Sequence, residues 1–214
     1  MVNRDYSPLD RLIARVDRVL GILGATRTAT GRPSPAADRP EARFSEDTRR
    51  DTAGLVRVDH TGEVCAQALY LGQALVARDP GVAAFLRQAA REEVDHLHWC
   101  RDRLVELDSR PSRLNPAWFG GSLVLGAASG LAGDEFSLGF LDETERQVVA
   151  HLDGHLARLQ ADDGRSRAIL VEMRADEARH AENAVRRGAR PLPWWAILMM
   201  RLQAKVMTTL AYRI

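Results

Sequence analysis

Cysteine is scarce in this chain, lysine nearly absent, and no charge of either sign is in excess. Two cysteines, Cys65 and Cys100, in 214 residues are too few for a secreted disulfide scaffold and point to a reducing compartment. The formal net charge of +1, without a basic block, gives no field for steering nucleic acid, so no nucleic-acid partner is expected. Lys205 is the one lysine among 30 basic residues, a bias that carries no function. The first ten residues hold no apolar stretch before their first acids, so no secretory signal is expected, and Asp5, Asp10 and Asp17 argue against an organelle transit peptide. A bacterial cytoplasm is the expected compartment. No sustained apolar–polar alternation bounded by turns occurs, so no strand is expected.

What remains is helical periodicity. Ser7-Pro8-Leu9-Asp10 reads as a helix start, and Leu9, Leu12, Ile13, Val16, Val19, Leu20 and Leu23 follow helical spacing up to Gly24. Residues 1–24 are thus expected as an amphipathic helix. Residues 25–44, rich in Thr, Arg, Pro and Ala without periodicity, are expected as a linker or mobile loop. Residues 45–214 are expected to form one bundle domain, long enough to bury a core. Within it, helices are predicted from about Glu46 to Arg78, Pro80 to Leu107, Asp134 to Leu159, and onward from Ser166, read as a cap, to about Arg187.

Two stretches are strongly apolar. Leu114 to Gly133 runs 20 residues without a charge, a length that could span a bilayer. Five glycines, Asn115 and two serines favour a packed helix instead, with Gly126 and Gly130 allowing close contact. Trp194-Trp195-Ala196-Ile197-Leu198-Met199-Met200 is too short before Arg201 and Lys205 to span. Paired Trp beside basic residues is the pattern of a membrane-interface helix, with a cap packed over the end of the bundle as the alternative.

The chain also carries an internal duplication. Glu93-Val94-Asp95-His96 and Glu177-Ala178-Arg179-His180 are two Glu-x-x-His tetrads, preceded at nearly equal distances by Glu63 and Glu145. A helix turns about 100° per residue, so the facing of these side chains is testable. Glu93 and His96 fall in the gap of the stripe Val82, Phe85, Leu86, Ala89, Leu97, Cys100 and Leu104, whereas Glu92 and His98 point elsewhere. Glu177 and His180 fill the missing steps of Ile169, Leu170, Met173, Ala181 and Ala184. Glu145 completes the stripe from Leu138 to Leu159, and Glu63 lies above Ala66, Gln67 and Tyr70.

Four buried carboxylates without bases would repel one another and shift to their neutral forms. Two divalent cations would neutralise them, with one neutral imidazole per ion. A single Glu-x-x-His tetrad means little; two in register with upstream acids match the ligand pattern of ferritin-like di-iron and di-manganese bundles. Carboxylate-rich ligation suits iron or manganese better than zinc, and open positions favour oxygen chemistry. A hydroxylase, a ferroxidase, a peroxidase and a radical generator remain open at this point.

Arg57-Val58-Asp59-His60-Thr61-Gly62-Glu63, the tetrad at Glu93, Glu143-Thr144-Glu145-Arg146-Gln147-Val148 with His151-Leu152, and Asp176-Glu177-x-x-His180 resemble the demethoxyubiquinone hydroxylases of ubiquinone biosynthesis. The closing Lys205-Val206-Met207-Thr208 and Tyr212-Arg213-Ile214 fit their bacterial branch. The resemblance implies an all-α, ferritin-like four-helix bundle with accessory helices. It implies two iron ions held by Glu63, Glu93, His96, Glu145, Glu177 and His180. It further implies hydroxylation of a demethoxyubiquinol by O2, with reducing equivalents ultimately from NAD(P)H. The enzyme would lie peripherally on the cytoplasmic side of the inner membrane, with homo-oligomers or other proteins of the pathway as further partners. Leu152 departs from animal members, which carry a Tyr after the corresponding His. Competing functions are another di-iron oxidase, such as a ferroxidase or a tRNA hydroxylase, and a non-catalytic, membrane-docked iron-binding scaffold.

Around the six, roles are less determined. Asp95 and Asp176 adjoin ligand positions and read equally as partners of a metal-bound imidazole or as solvated acids. Asp59 and His60 fit a polar shell about as well as a surface. His151 and His155 lie off the inner line and are not counted as ligands. Cys100 and Tyr70 read as core residues, Tyr70 with a radical site as the lesser alternative.

Overall fold

The computed structural model describes residues 30–214. The predicted helix over 1–24 and the first residues of the predicted linker lie outside that range. Among the described residues there are six helices and no strand: α1 Glu46–Val76, α2 Pro80–Glu106, α3 Asn115–Leu131, α4 Asp134–Arg158, α5 Gly164–Arg186 and α6 Trp194–Ala211.

Local chemistry sets the boundaries. Ser45 caps α1, its hydroxyl accepting from the Thr48 N–H at 3.1 Å. Asp79 caps α2, with Pro80 at its first position. The cap of α5 differs from expectation. Asp163, buried, accepts from the Ser166 N–H at 3.0 Å, so the helix begins at Gly164 and Ser166 lies inside it. Gly188, at φ +93°, closes α5 in the left-handed region.

The four long helices α1, α2, α4 and α5 form a four-helix bundle. Its apolar core lies in two main clusters, one around Trp99, Leu104, Leu152 and Met173, the other around Tyr70, Leu86, Leu138 and Leu141. The charge-free segment is α3, a separate helix that lies along α1 and is divided from α4 at Gly133, φ +119°. Glycines set that contact: a Cβ on Gly126 would sit 2.1 Å from the Leu69 carbonyl oxygen, and one on Gly72 would sit 2.2 Å from that of Leu123. No helix of the described residues is long and apolar enough to cross a membrane.

Residues 30–44 contain no helix and run across the bundle. Ala36 is buried in the first core cluster, and Glu41 accepts from the buried Arg103 guanidinium at 2.6 and 2.9 Å. At the far end, α6 is mostly unburied along its apolar side. Of its residues only Ala196 and Ala211 are fully buried, while Trp194 is 75% exposed and Met199 63%.

Candidate metal centre

Six side chains from four helices converge where the two core clusters meet. Glu63 comes from α1, Glu93 and His96 from α2, Glu145 from α4, and Glu177 and His180 from α5, and all six are buried. Helix spacing places each Glu and His of a tetrad on one face. His96 Nδ1 lies 3.6 Å from Glu63 Oε2, 3.1 Å from Glu93 Oε2 and 3.0 Å from Glu177 Oε1. His180 Nδ1 lies 3.5 Å from Glu145 Oε1, 3.4 Å from Glu93 Oε1 and 3.1 Å from Glu177 Oε2. Glu93 and Glu177 therefore each turn one oxygen to one imidazole and the second oxygen to the other. Glu63 and Glu145 each serve one side only. The result is two overlapping groups of four donors, each within the compass of one ion.

The outer nitrogens of both imidazoles are held from across the bundle. His96 Nε2 donates to Asp176 Oδ2 at 2.9 Å, and His180 Nε2 donates to Glu92 Oε2 at 2.8 Å. The acid before each tetrad's Glu thus orients the other tetrad's His and leaves Nδ1 facing the carboxylates. Asp176 is braced in turn by Arg32 Nη1 at 2.6 Å. Glu92 was expected to point elsewhere. The duplication carried the missed signal, because Glu92-Glu93-x-x-His96 repeats Asp176-Glu177-x-x-His180 one position further than the tetrads alone.

The electrostatics follow from burial. Desolvation pushes the Glu63 and Glu145 carboxyls well above their ordinary range, and the Glu177 charge adds to both. Burial opposes the charged form of His96 and of His180, but the carboxylates around each outweigh it and hold both well above the ordinary imidazole value. Glu93 is the counterweight: burial would raise it, yet the His180 and His96 contacts hold it below its usual range. Glu93 Oε1, Glu145 Oε2 and Glu177 Oε1 are buried without a hydrogen bond. Buried acceptors of that kind are rare unless a cation or proton fills the gap between them, so this donor set fits two hard or borderline divalent ions.

The neighbouring residues resolve as follows. Tyr70, fully buried, is more than packing, since its hydroxyl donates to Glu145 Oε1. Asp95 accepts from the Thr30 N–H at 3.1 Å. His60 is buried, accepts from Asn115 Nδ2 at 3.2 Å, and is lowered by burial to about 4. Cys100 is buried and in contact with Met173. Asp59, His151 and His155 form a group of their own, sharing no residue with the two four-donor groups. A cavity of about 1080 Å³ reaches Glu63 from outside, walled by Trp118 and Leu125 of α3, Phe140 of α4, and Met200 and Met207 of α6.

The chain matches the sequence profile of the family described as ubiquinone biosynthesis protein COQ7 over residues 50–211. A protein of Xanthomonas euvesicatoria pv. vesicatoria (strain 85-10), named 3-demethoxyubiquinol 3-hydroxylase, is 56% identical over 211 residues, covering 99% of this chain and 97% of the relative. One of the same name from Bordetella parapertussis is 53% identical over 212 residues, covering 99% and 95%. Among solved structures, the dodecameric thioferritin of Bacteroides fragilis is similar at a TM-score of 0.49 and 15% identity, over 89% of this chain and 97% of that one.

Proposed function

This chain belongs to the COQ7 family of ubiquinone biosynthesis proteins, and from that premise we propose how its buried cluster serves the family's reaction. Its close relatives are named 3-demethoxyubiquinol 3-hydroxylase, and in our reading this chain likewise hydroxylates the ring of a demethoxyubiquinol with O2. One oxygen atom enters the ring and the other leaves as water, which consumes two electrons and two protons. In our reading the electrons come ultimately from NAD(P)H.

Two iron ions are the cofactor in this proposal, held by Glu63, Glu93, His96, Glu145, Glu177 and His180. The observation that carries it is the paired turn of Glu93 and Glu177, whose two oxygens face the two imidazoles separately. Such a pair of ions supplies the redox capacity for O2 reduction that no side chain of this protein has. Asp176 and Glu92 keep each imidazole in one orientation and fix which nitrogen faces inward. Tyr70 donates to Glu145 and so limits that carboxylate's rotation. The apolar core above and below keeps bulk water from the cluster.

The cavity beside Glu63 is the proposed approach for the quinol ring. Its walls are built by α1, α3, α4 and α6, and α6 exposes a row of large apolar side chains: Trp194, Trp195, Leu198, Met199, Leu202 and Val206. We place that face on the membrane surface, peripherally and on the cytoplasmic side. A polyprenyl tail gains about 0.8 kcal/mol per buried CH₂, so it stays in lipid while the ring enters the protein.

A strain lacking this protein is expected to accumulate demethoxyubiquinone in lipid extracts, and a wild-type copy is expected to restore ubiquinone. A Glu93→Ala copy is expected to leave the accumulation in place and to purify with little iron. Restoration by Glu93→Ala with full iron content would overturn the ligand assignment. Failure of the wild-type copy would overturn the function.

A further inference from the structure

A second group of metal-ligating side chains lies apart from the six. Asp59 projects from α1, while His151 and His155, at i and i+4, share one face of α4. Asp59 Oδ1 is 2.8 Å from His155 Nδ1 and 3.7 Å from His151 Nε2. The imidazole ring centres are 3.9 Å apart, tilted by 58°. One donor atom from each residue falls within 4.8 Å of the other two. These same three atoms, Asp59 Oδ1, His155 Nδ1 and His151 Nε2, are buried and make no hydrogen bond, and neither does Asp59 Oδ2.

An orphaned buried polar atom is uncommon, and here several converge on one point. A hydrogen bond between Asp59 and His155 would be the simplest remedy. The 2.8 Å separation allows one, but the direction of the ring nitrogen does not, and the His151 nitrogen would still lack a partner. A single cation satisfies all three. Two ligands about 2.1 Å from one ion, at tetrahedral or octahedral angles, lie about 3.0–3.4 Å apart. The observed 2.8 and 3.7 Å bracket that range. Two imidazole nitrogens and one carboxylate oxygen suit divalent iron, zinc and their neighbours in the first transition row.

The geometry points to a third metal site in this protein, in which Asp59, His151 and His155 bind one divalent transition-metal ion independently of the paired cluster. All three residues line the cavity that also reaches Glu63 and α6. Three protein donors leave coordination positions open, as catalytic sites do and closed structural sites do not. An ion held there takes water, or a hydroxyl oxygen of a molecule in the cavity, and makes that oxygen more acidic. The site therefore belongs to the wall of the substrate cavity, and its metal is exchangeable through that opening.

The test is a zinc titration of the purified, iron-loaded enzyme, with iron and zinc counted per chain by elemental analysis after removal of unbound metal. Wild-type protein is expected to hold three metals per chain, and His155→Ala two. His151→Gln is expected to match His155→Ala. His151 is about one-third exposed, so this variant removes a donor with little loss of packing and decides the matter if His155→Ala does not fold. Glu93→Ala is expected to lose metal from the paired cluster and to keep the third ion. Equal metal content in wild type and His151→Gln would overturn the site. So would loss of the third equivalent in Glu93→Ala with its retention in His151→Gln. Failure of the paired-iron assignment gives a different result, namely full metal content in Glu93→Ala.

Discussion

Loading the paired cluster with metal is expected to release about four protons. In the metal-free protein at neutral pH, Glu63 and Glu145 are carboxylic acids, because burial and neighbouring charge raise both well above their ordinary range. His96 and His180 are imidazolium ions, because the surrounding carboxylates outweigh burial at each. Four protons thus occupy the places where cations would bind, and each must leave before its oxygen or nitrogen can act as a ligand. Two divalent ions bring a charge of +4 and four protons carry away +4, so the buried region keeps its net charge. Each proton makes the binding free energy change by about 1.4 kcal/mol per pH unit. For the pair of ions this gives about 5 kcal/mol per pH unit, or about two protons per ion. Calorimetric titration with Mn2+ or anaerobic Fe2+ at pH 7, repeated in buffers of different ionisation enthalpy, measures the number directly. Release of less than one proton per ion would refute the reasoning, since it would mean that the cluster stands ionised and solvated without metal.

The same protons govern the stability of the metal-free protein. Glu63 and Glu145 hold protons in the fold above about pH 4.5, where the unfolded chain has released them, and His96 and His180 do so above about pH 6.5. The folded state then binds more protons than the unfolded state, so stability falls as pH rises. Glu93 and Asp176 are lowered and act in the opposite sense, but their contribution is lost only below the ordinary carboxylate range. Between pH 6 and 8, the Tm of chelator-treated protein is therefore expected to fall, while that of the metal-loaded protein is expected to stay nearly level.

Three further outcomes follow from the packing and the surface. Asp176→Asn and Glu92→Gln are each expected to weaken metal binding about 10- to 100-fold, because each frees one imidazole from its orienting carboxylate; unchanged iron content under competing chelator would remove that role. Gly126→Ala is expected to destabilise the protein by about 1–3 kcal/mol or more in denaturant unfolding, since its Cβ would meet the Leu69 backbone, whereas Gly120→Ala, with open space around it, should cost little. Trp194→Glu combined with Leu198→Glu is expected to weaken vesicle co-sedimentation and slow turnover of a long-tailed quinol while sparing a short-tailed one; equal loss on both substrates with unchanged sedimentation would show that α6 does not meet lipid.

Helical periodicity reports which face of an element a residue occupies, and that explains both what could be read in advance and what could not. The four bundle helices and the convergence of the six central side chains depend on facing and spacing, and were legible; the Asp163 cap was not, since Ser166 offered an equally good capping side chain. Glu92 was not, because its role depends on how far α2 stands from α5. A glutamate one step off the inner stripe reaches His180 only at that separation. The docking of residues 30–44 was hidden for a similar reason. Arg32 and Glu41 find Asp176 and Arg103 across more than 60 residues of chain, with no repeat to announce it. Asp59, His151 and His155 show the same limit in its strongest form. The two histidines lie off the inner line of α4 and would face solvent in a bare four-helix bundle. They meet Asp59 on a buried wall because α3 and α6 add a further layer beside α1 and α4 and enclose a cavity there. The convergence of the six central side chains is thus a property of individual helix faces repeated in the sequence, while the cavity and its polar wall are properties of the assembled layers. Substitutions that shift α6 without touching the bundle should accordingly alter substrate handling and leave the iron content of the paired cluster as it was.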